Sequence, residues 1–168
     1  MLDIKVLSIE VHATAVEKGW WPAPRSWHEI RLLIVSEIAE ALEAFRESRM
    51  ALVDPAKPEG FTVELADVVI RCADWIGAAL SGLTQDEFNA EEEIRNAQAG
   101  CNLAESTIPG CLDRLLVLLY CGGTVNVGEV IAGCYELTKR LNLDLDAAIR
   151  VKTVYNKQRA FRHGGKAL

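Results

Sequence analysis

Apolar residues along most of the chain recur at helical spacing rather than alternating, so the pattern predicts helices and almost no strand. Predicted helices cover about 3–18, 27–49, 63–81, 111–121, 126–141 and 144–160. Gly19 should end the first, and Ser26 with Glu29 should form a capping box for the second. Thr62 is placed to cap the third. The stretch 84–107 is less regular, with room for one short helix followed by loop. The pattern therefore predicts an all-α helical bundle.

The third predicted helix carries its charges on one narrow stripe. Glu64, Asp67, Arg71 and Asp74 lie at i, i+3, i+7 and i+10, and nearly every other residue from 63 to 80 is apolar. A helix that is apolar over most of its circumference is buried, so its charges must face an internal site. We expect Arg71 and Asp74 to pair and to hold the other two acids in place.

The second predicted helix places further acids toward the same interior. At 100° per residue, Glu37 lies within the apolar sector and Glu40 lies at its edge. Arg71 alone cannot balance these acids, which predicts a divalent cation. No histidine lies three residues after an acid, as in di-iron bundles. Oxygen ligands alone favour Mg²⁺, or Mn²⁺ as a substitute, and magnesium completes its shell with phosphates. The acids thus indicate a phosphate-bearing substrate.

Composition narrows the class of protein. With 168 residues the chain predicts one domain, and its net charge of −6 argues against nucleic-acid polymers and anionic membranes as partners. No uncharged apolar run reaches the ~18 residues of a transmembrane helix, and the first residues do not resemble a signal peptide. Five cysteines without CxxC spacing predict reduced thiols, a cytoplasmic location and no structural zinc.

Basic residues concentrate at the end of the chain. Lys152, Tyr155, Asn156 and Arg159 share one face of the last predicted helix, and Arg162 and Lys166 continue it. Cations near a helix C-terminus are also favoured by the helix dipole, by ~0.3–1 kcal/mol each. Beside an acidic metal site, however, phosphate binding is the better interpretation.

Three segments resemble the motifs of a known family. "SEIAEALEAF", "ELADVVIRCAD" and "KTVYNKQRAFRHGGK" are similar, in that order, to the motifs of MazG-like proteins in the all-α nucleoside triphosphate pyrophosphohydrolase superfamily. The resemblance covers about 12–81 and 141–166, which makes 82–140 a divergent helical insertion in a single MazG-like domain over 1–168. It implies a four-helix-bundle core that oligomerisation completes, as a homodimer or a dimer of dimers.

The resemblance also implies roles for individual residues. The metal-ligand positions are matched by Glu37, Glu40, Glu64 and Asp67, and the phosphate-contacting positions by Lys152, Asn156 and Arg159, continued by Arg162 and Lys166. Glu37 is the candidate to activate water. Ser36 stands where the family usually has its first acid, which leaves the number of metals open. Candidates to stack on the base are Trp20, Trp21, Trp27 and Tyr155, although each tryptophan fits hydrophobic anchoring of the first helix equally well.

The implied activity is Mg²⁺-dependent hydrolysis of a (deoxy)nucleoside triphosphate at the α–β phosphate bond, giving the monophosphate and pyrophosphate. One alternative is a pyrophosphohydrolase for another phosphorylated nucleotide. Another is a non-catalytic dimerisation or regulatory module, whose acids would be fully matched by arginine and lysine. We also expect an obligate oligomer, because the third helix and the apolar segment 111–135 present more apolar surface than one chain should cover.

Overall fold

A computed structural model describes residues 1–51, 56–84, 88–120 and 126–165. Within these ranges the regular structure is helical, apart from an isolated parallel bridge between Arg25 and Thr84. The helices are α1 (Ile4–Glu17), α2 (Trp27–Arg46), α3 (Phe61–Leu80), α4 (Ala90–Ala99), α5 (Ile108–Tyr120), α6 (Val127–Arg140), α7 (Leu145–Gln158) and the short α8 (Arg162–Gly165). The all-α class predicted from the periodicity is confirmed.

Two of the three predicted helix boundary signals are confirmed. Gly19 has a positive φ of 80° directly after α1, and the Ser26 N–H donates to Glu29 Oε2 at 3.1 Å in the capping box of α2. The prediction for Thr62 is wrong, because the N-cap of α3 is Gly60 with φ 120°. The Thr62 hydroxyl instead donates to the carbonyl oxygen of Met50 at 2.6 Å. A glycine without a capping side chain therefore begins α3, and Thr62 ties the start of the helix to Met50 instead.

Helix α3 is the central element of the core. Its residues are buried without interruption from Phe61 to Val69, and α1, α2, α4, α6 and α7 all pack against it. Where α1 crosses, Gly77 allows close approach, because a Cβ there would lie 2.3 Å from the Ser8 carbonyl oxygen. The chain thus covers its most apolar helix by itself. We expected an obligate oligomer because one chain should not cover both α3 and the segment 111–135, and the part of that reason that concerns α3 is wrong.

The segment that the family resemblance left unmatched supplies part of this cover. It contains α4, α5 and α6, and α6 packs on α3 as well as on α4 and α5. Helix α4 docks at the start of α6, where the buried Glu93 carboxylate accepts the Gly128 N–H at 2.6 Å. A Cβ on Gly128 would lie 2.2 Å from the Glu93 carbonyl oxygen, so the two helices approach as closely as a glycine permits.

In the part of the chain that is described, none of the helices combines the length and the apolar character that crossing a lipid bilayer requires.

Candidate metal and phosphate site

A cleft of about 630 Å³ lies between α1, α2, α3 and α7. Its walls include the charged stripe of α3, the acids of α2 and the cationic face of α7. It also contains apolar and aromatic side chains, among them Leu33, Ile70 and Trp20. A cleft of this size and mixed lining suits a small charged ligand with an apolar part.

Three carboxylates meet at one place in this cleft. One oxygen each from Glu37, Glu40 and Glu64 can be chosen so that all three lie within 4.8 Å of one another. Glu37 and Glu40 are one helical turn apart on α2, and Glu64 belongs to the first turn of α3, so the packing of α2 on α3 assembles the cluster. Glu37 and Glu64 are only 8% and 7% exposed, whereas Glu40 lies at the solvent side. Three carboxylate oxygens grouped in this way could hold a divalent cation.

Two internal cations partly balance the acids. Arg71 donates its Nε–H to Glu37 Oε1 at 3.2 Å, and its Nη2 lies 3.2 Å from the same oxygen. Lys152 Nζ on α7 lies 2.6 Å from Asp67 Oδ2 on α3. Asp67, the fourth metal ligand that the resemblance implies, is therefore held by a lysine and lies outside the three-carboxylate cluster. Among the described residues, Glu40 and Glu64 have no ion pair.

Burial and mutual repulsion raise the pKa values of Glu64, Glu37 and Asp67. Burial, with the neighbouring Asp67 carboxylate, raises the pKa of Glu64 to about 7, against the pull of Lys152. Burial also raises the pKa of Glu37, opposed by Arg71, and that of Asp67, opposed by Lys152. Burial works against the charge on Lys152, yet Asp67 outweighs it and raises the lysine pKa. The site is short of positive charge, so a divalent cation there would be stabilised.

The predicted pairing of Arg71 with Asp74 is wrong. Asp74 Oδ1 accepts the Nδ1–H of His12 at 2.8 Å, which follows because a carboxylate can only accept. The Trp21 Nε1–H donates to both Asp74 oxygens at 3.1 and 3.0 Å. Asp74 thus joins α3 to α1 and to the loop after α1, while Arg71 steadies Glu37. No sequence pattern indicated His12 as the partner of Asp74, since 62 residues separate the two.

The cationic face predicted on the last helix is present at the cleft. Lys152, Tyr155, Asn156 and Arg159 all line it, and the Arg159 guanidinium lies 5.6 Å from the centre of the Tyr155 ring. The prediction for Lys166 falls outside the described residues.

Arg162 is placed differently from the cationic face of α7. Its backbone N–H donates to the Lys18 carbonyl oxygen and its Nε–H to the Gly19 carbonyl oxygen, both at 3.0 Å. It is not among the residues that line the cleft. In this structure Arg162 fastens the end of the chain to the end of α1.

The tryptophans divide between cleft and core. Trp20 lines the cleft, as Tyr155 does. Trp21 and Trp27 are each 7% exposed, and their rings pack against Trp75 with centroid distances of 6.4 and 5.7 Å. Because they are enclosed in the core, Trp21 and Trp27 serve as hydrophobic anchors. Of the four residues predicted to stack on a base, Trp20 and Tyr155 line the cleft.

Several cleft residues had no periodic signal in the sequence. Arg49 and Lys57, in the connection between α2 and α3, line the cleft, and so do Lys18 and Arg25. Arg25 is 6% exposed, and its guanidinium lies 5.6 Å from the centre of the Trp21 ring. These cations come from loops and helix ends, where helical spacing carries no information.

Ser36, which replaces the first acid of the family motif, lies on the rim of the cleft. Its hydroxyl donates to the Leu33 carbonyl oxygen of its own helix at 2.7 Å. The position therefore adds no carboxylate to the three-carboxylate cluster.

Comparison of the chain with models of known protein families, with curated protein sequences and with solved structures returned no match.

Proposed function

We propose that the chain is a Mg²⁺-dependent pyrophosphohydrolase that cleaves a (deoxy)nucleoside triphosphate between the α and β phosphates. One observation carries the proposal: Glu37, Glu40 and Glu64 converge in the same cleft that Lys152, Asn156 and Arg159 line. Carboxylates hold magnesium, and arginine and lysine bind phosphates. An acidic cluster beside a cationic helix face suits a complex of metal and triphosphate better than it suits a metal ion alone or a triphosphate alone.

The residues present fit a magnesium or manganese ion. All three grouped ligands offer oxygen, and burial beside the Asp67 carboxylate raises the pKa of Glu64, which a bound cation would offset. Glu37, Glu40 and Glu64 would hold the ion. Once bound, the metal supplies polarisation of phosphate oxygens and makes nearby water more acidic.

The chain's own side chains would complete the chemistry. Glu37, whose side chain Arg71 holds through Nε and Nη2, would receive the proton of the attacking water. Arg159, at the C-terminal end of α7, would neutralise charge that develops on the leaving pyrophosphate, and the Asn156 amide would donate a hydrogen bond to it. Trp20 and Tyr155 offer aromatic faces to the base. The monophosphate and pyrophosphate then leave through the same cleft.

A regulatory module without catalysis would need its acids fully matched by cations. Two matched pairs exist, Arg71 with Glu37 and Lys152 with Asp67. Glu40 and Glu64 remain without an ion pair in the described ranges, which favours metal binding over this alternative.

The direct test is incubation with each NTP and dNTP plus Mg²⁺, with pyrophosphate as the measured product. Glu40→Gln and Asp67→Asn should each remove most of the activity while the protein stays folded. Glu43→Gln is the matched control, because Glu43 lines the cleft but pairs with Arg46 at 2.6 Å. Activity within a few-fold of wild type in both Glu40→Gln and Asp67→Asn would contradict the proposal.

We further propose a homodimer or a dimer of dimers, in the cytoplasm. With α3 covered, the remaining support is an apolar stripe on α1: Val6, Ile9 and Val16 are 60%, 55% and 44% exposed and follow coiled-coil spacing. Free thiols such as the buried Cys72 suit a reducing compartment. Sedimentation at micromolar concentration tests the assembly, and an active species near 18.5 kDa would contradict it.

A further inference from the structure

The ion pair between Lys152 and Asp67 connects the acidic and the cationic sides of the cleft. Nζ and Oδ2 are 2.6 Å apart, and the two side chains are only 12% and 11% exposed. Lys152 is at the same time the first residue of the cationic face of α7. The Lys152 ammonium group therefore neutralises an acid and also belongs to the face that is proposed to bind phosphate.

A lysine in this position competes with a divalent cation. Four carboxylates, those of Glu37, Glu40, Glu64 and Asp67, lie near one another, and Lys152 and Arg71 are the cations paired with them in the described residues. A divalent cation at the three-carboxylate cluster would repel the Lys152 ammonium and attract the carboxylate that the ammonium now holds.

The two internal cations differ in how easily they can leave. Arg71 holds one Glu37 oxygen through both Nε and Nη2, in the fixed fork of a guanidinium. Lys152 holds Asp67 through a single ammonium on a flexible four-carbon stem. Tyr155 and Asn156 lie one turn further along α7 and line the same cleft as Lys152. Lys152 is thus the cation that can move.

We propose that Lys152 is an exchangeable counterion, which neutralises Asp67 in the metal-free protein and moves to the phosphates when metal and nucleotide bind. This inference rests on the proposed function. The exchange frees Asp67 as a further oxygen ligand and delivers a positive charge to the substrate. Lys152 consequently opposes metal binding to the free protein and supports phosphate binding to the metal-loaded protein, and metal and nucleotide strengthen each other's binding.

The test is the sign of two binding changes in Lys152→Met. Calorimetric titration with Mn²⁺ alone should show affinity about tenfold tighter than in the wild type, because a competing charge is gone. Titration of the Mn²⁺-saturated variant with inorganic tripolyphosphate, which avoids any dependence on the base, should show affinity about tenfold weaker. A lysine with a merely structural role would weaken both.

Lys157→Met is the matched control, since Lys157 lies on the same helix and pairs with the exposed Glu10. It should change neither affinity. If Lys152→Met unfolds, Lys152→Gln provides the same loss of charge with a polar side chain, and a thermal melt confirms which variant is folded.

The outcomes separate the two proposals. Suppose that the wild type releases pyrophosphate but the folded Lys152 variant binds Mn²⁺ no more tightly than the wild type does. That result would overturn the exchange and leave the proposed function standing. A wild type that binds no Mn²⁺ and releases no pyrophosphate would overturn both.

Discussion

Glu64→Gln should make the metal-free protein more stable at alkaline pH. Glu64 is buried in the first turn of α3, and within the described residues it has no ion pair. Burial, with the adjacent Asp67 carboxylate, raises its pKa from 4.5 to about 7. Ionised Glu64 therefore destabilises the folded state, and a neutral glutamine of nearly the same shape removes that cost.

The sign and size of the effect follow from the two pKa values. Below pH 4.5 Glu64 is protonated in the folded and the unfolded chain, so it contributes no difference. Between 4.5 and about 7 the unfolded chain ionises first, so stability falls as the pH rises, and the full cost remains above 7. At about 1.4 kcal/mol per pKa unit the ceiling is about 3.5 kcal/mol. Solvent at the cleft screens part of this, and we expect ~1–2 kcal/mol.

The assay is urea unfolding in EDTA at pH 4 and pH 8. Glu64→Gln should match the wild type at pH 4 to within a few tenths of a kcal/mol and exceed it by ~1–2 kcal/mol at pH 8. Glu43→Gln, which removes an exposed acid from the same cleft, should change stability by less than ~0.5 kcal/mol at both pH values. A Glu64→Gln protein that is less stable than wild type at pH 8, or equally shifted at both, would refute the reasoning.

Four further outcomes are expected. Saturating Mg²⁺ or Mn²⁺ should raise the melting temperature of the wild type in calorimetry. A free metal concentration of one hundred times Kd corresponds to about 2.7 kcal/mol of added stability. Gly77→Ala should lower stability by ~1–3 kcal/mol in urea despite its better helix propensity, because the new methyl group would meet the Ser8 carbonyl oxygen. Glu93→Ala leaves the Gly128 N–H without its acceptor and should cost ~1–3 kcal/mol by the same measurement. Truncation after Gln158 should raise the KM for nucleotide by a much larger factor than it changes the Mn²⁺ affinity. An unchanged KM would contradict a phosphate-binding role for the tail.

Much of the local structure could be predicted from the sequence because helical geometry is local. The capping box at Ser26 and Glu29 and the N-terminus of α7, where Asp144 accepts the Ala147 N–H at 2.9 Å, both depend on residues three positions apart. The burial of Glu37 followed from its position in the apolar sector of α2, by the same 100° rule. Helix ends were less certain: α2 stops at Arg46, three residues early, where Ser48 adopts a positive φ of 59°.

The candidate site was only partly predictable, because its partners lie far apart in the chain. Periodicity indicated which side chains share a face, but it could not decide that Asp74 would bond to His12 rather than to Arg71. It also could not reveal that Lys152 would neutralise Asp67, 85 positions away. Each of these pairings depends on how the helices pack. The sequence does not show which of several cations will pair with a given acid.

The sequence by itself determined the helical class, most helix bounds and the acids and bases of α2, α3 and α7 that face the cleft, since these follow from residue type and short-range spacing. Only the tertiary structure decided which carboxylates meet, which cations neutralise them and whether α3 needs a second chain to cover it. The physical reason is that pairing and coverage depend on distances of a few ångströms between elements. Those distances are set by the packing of the whole core, including α4 to α6, for which the resemblance offered no counterpart.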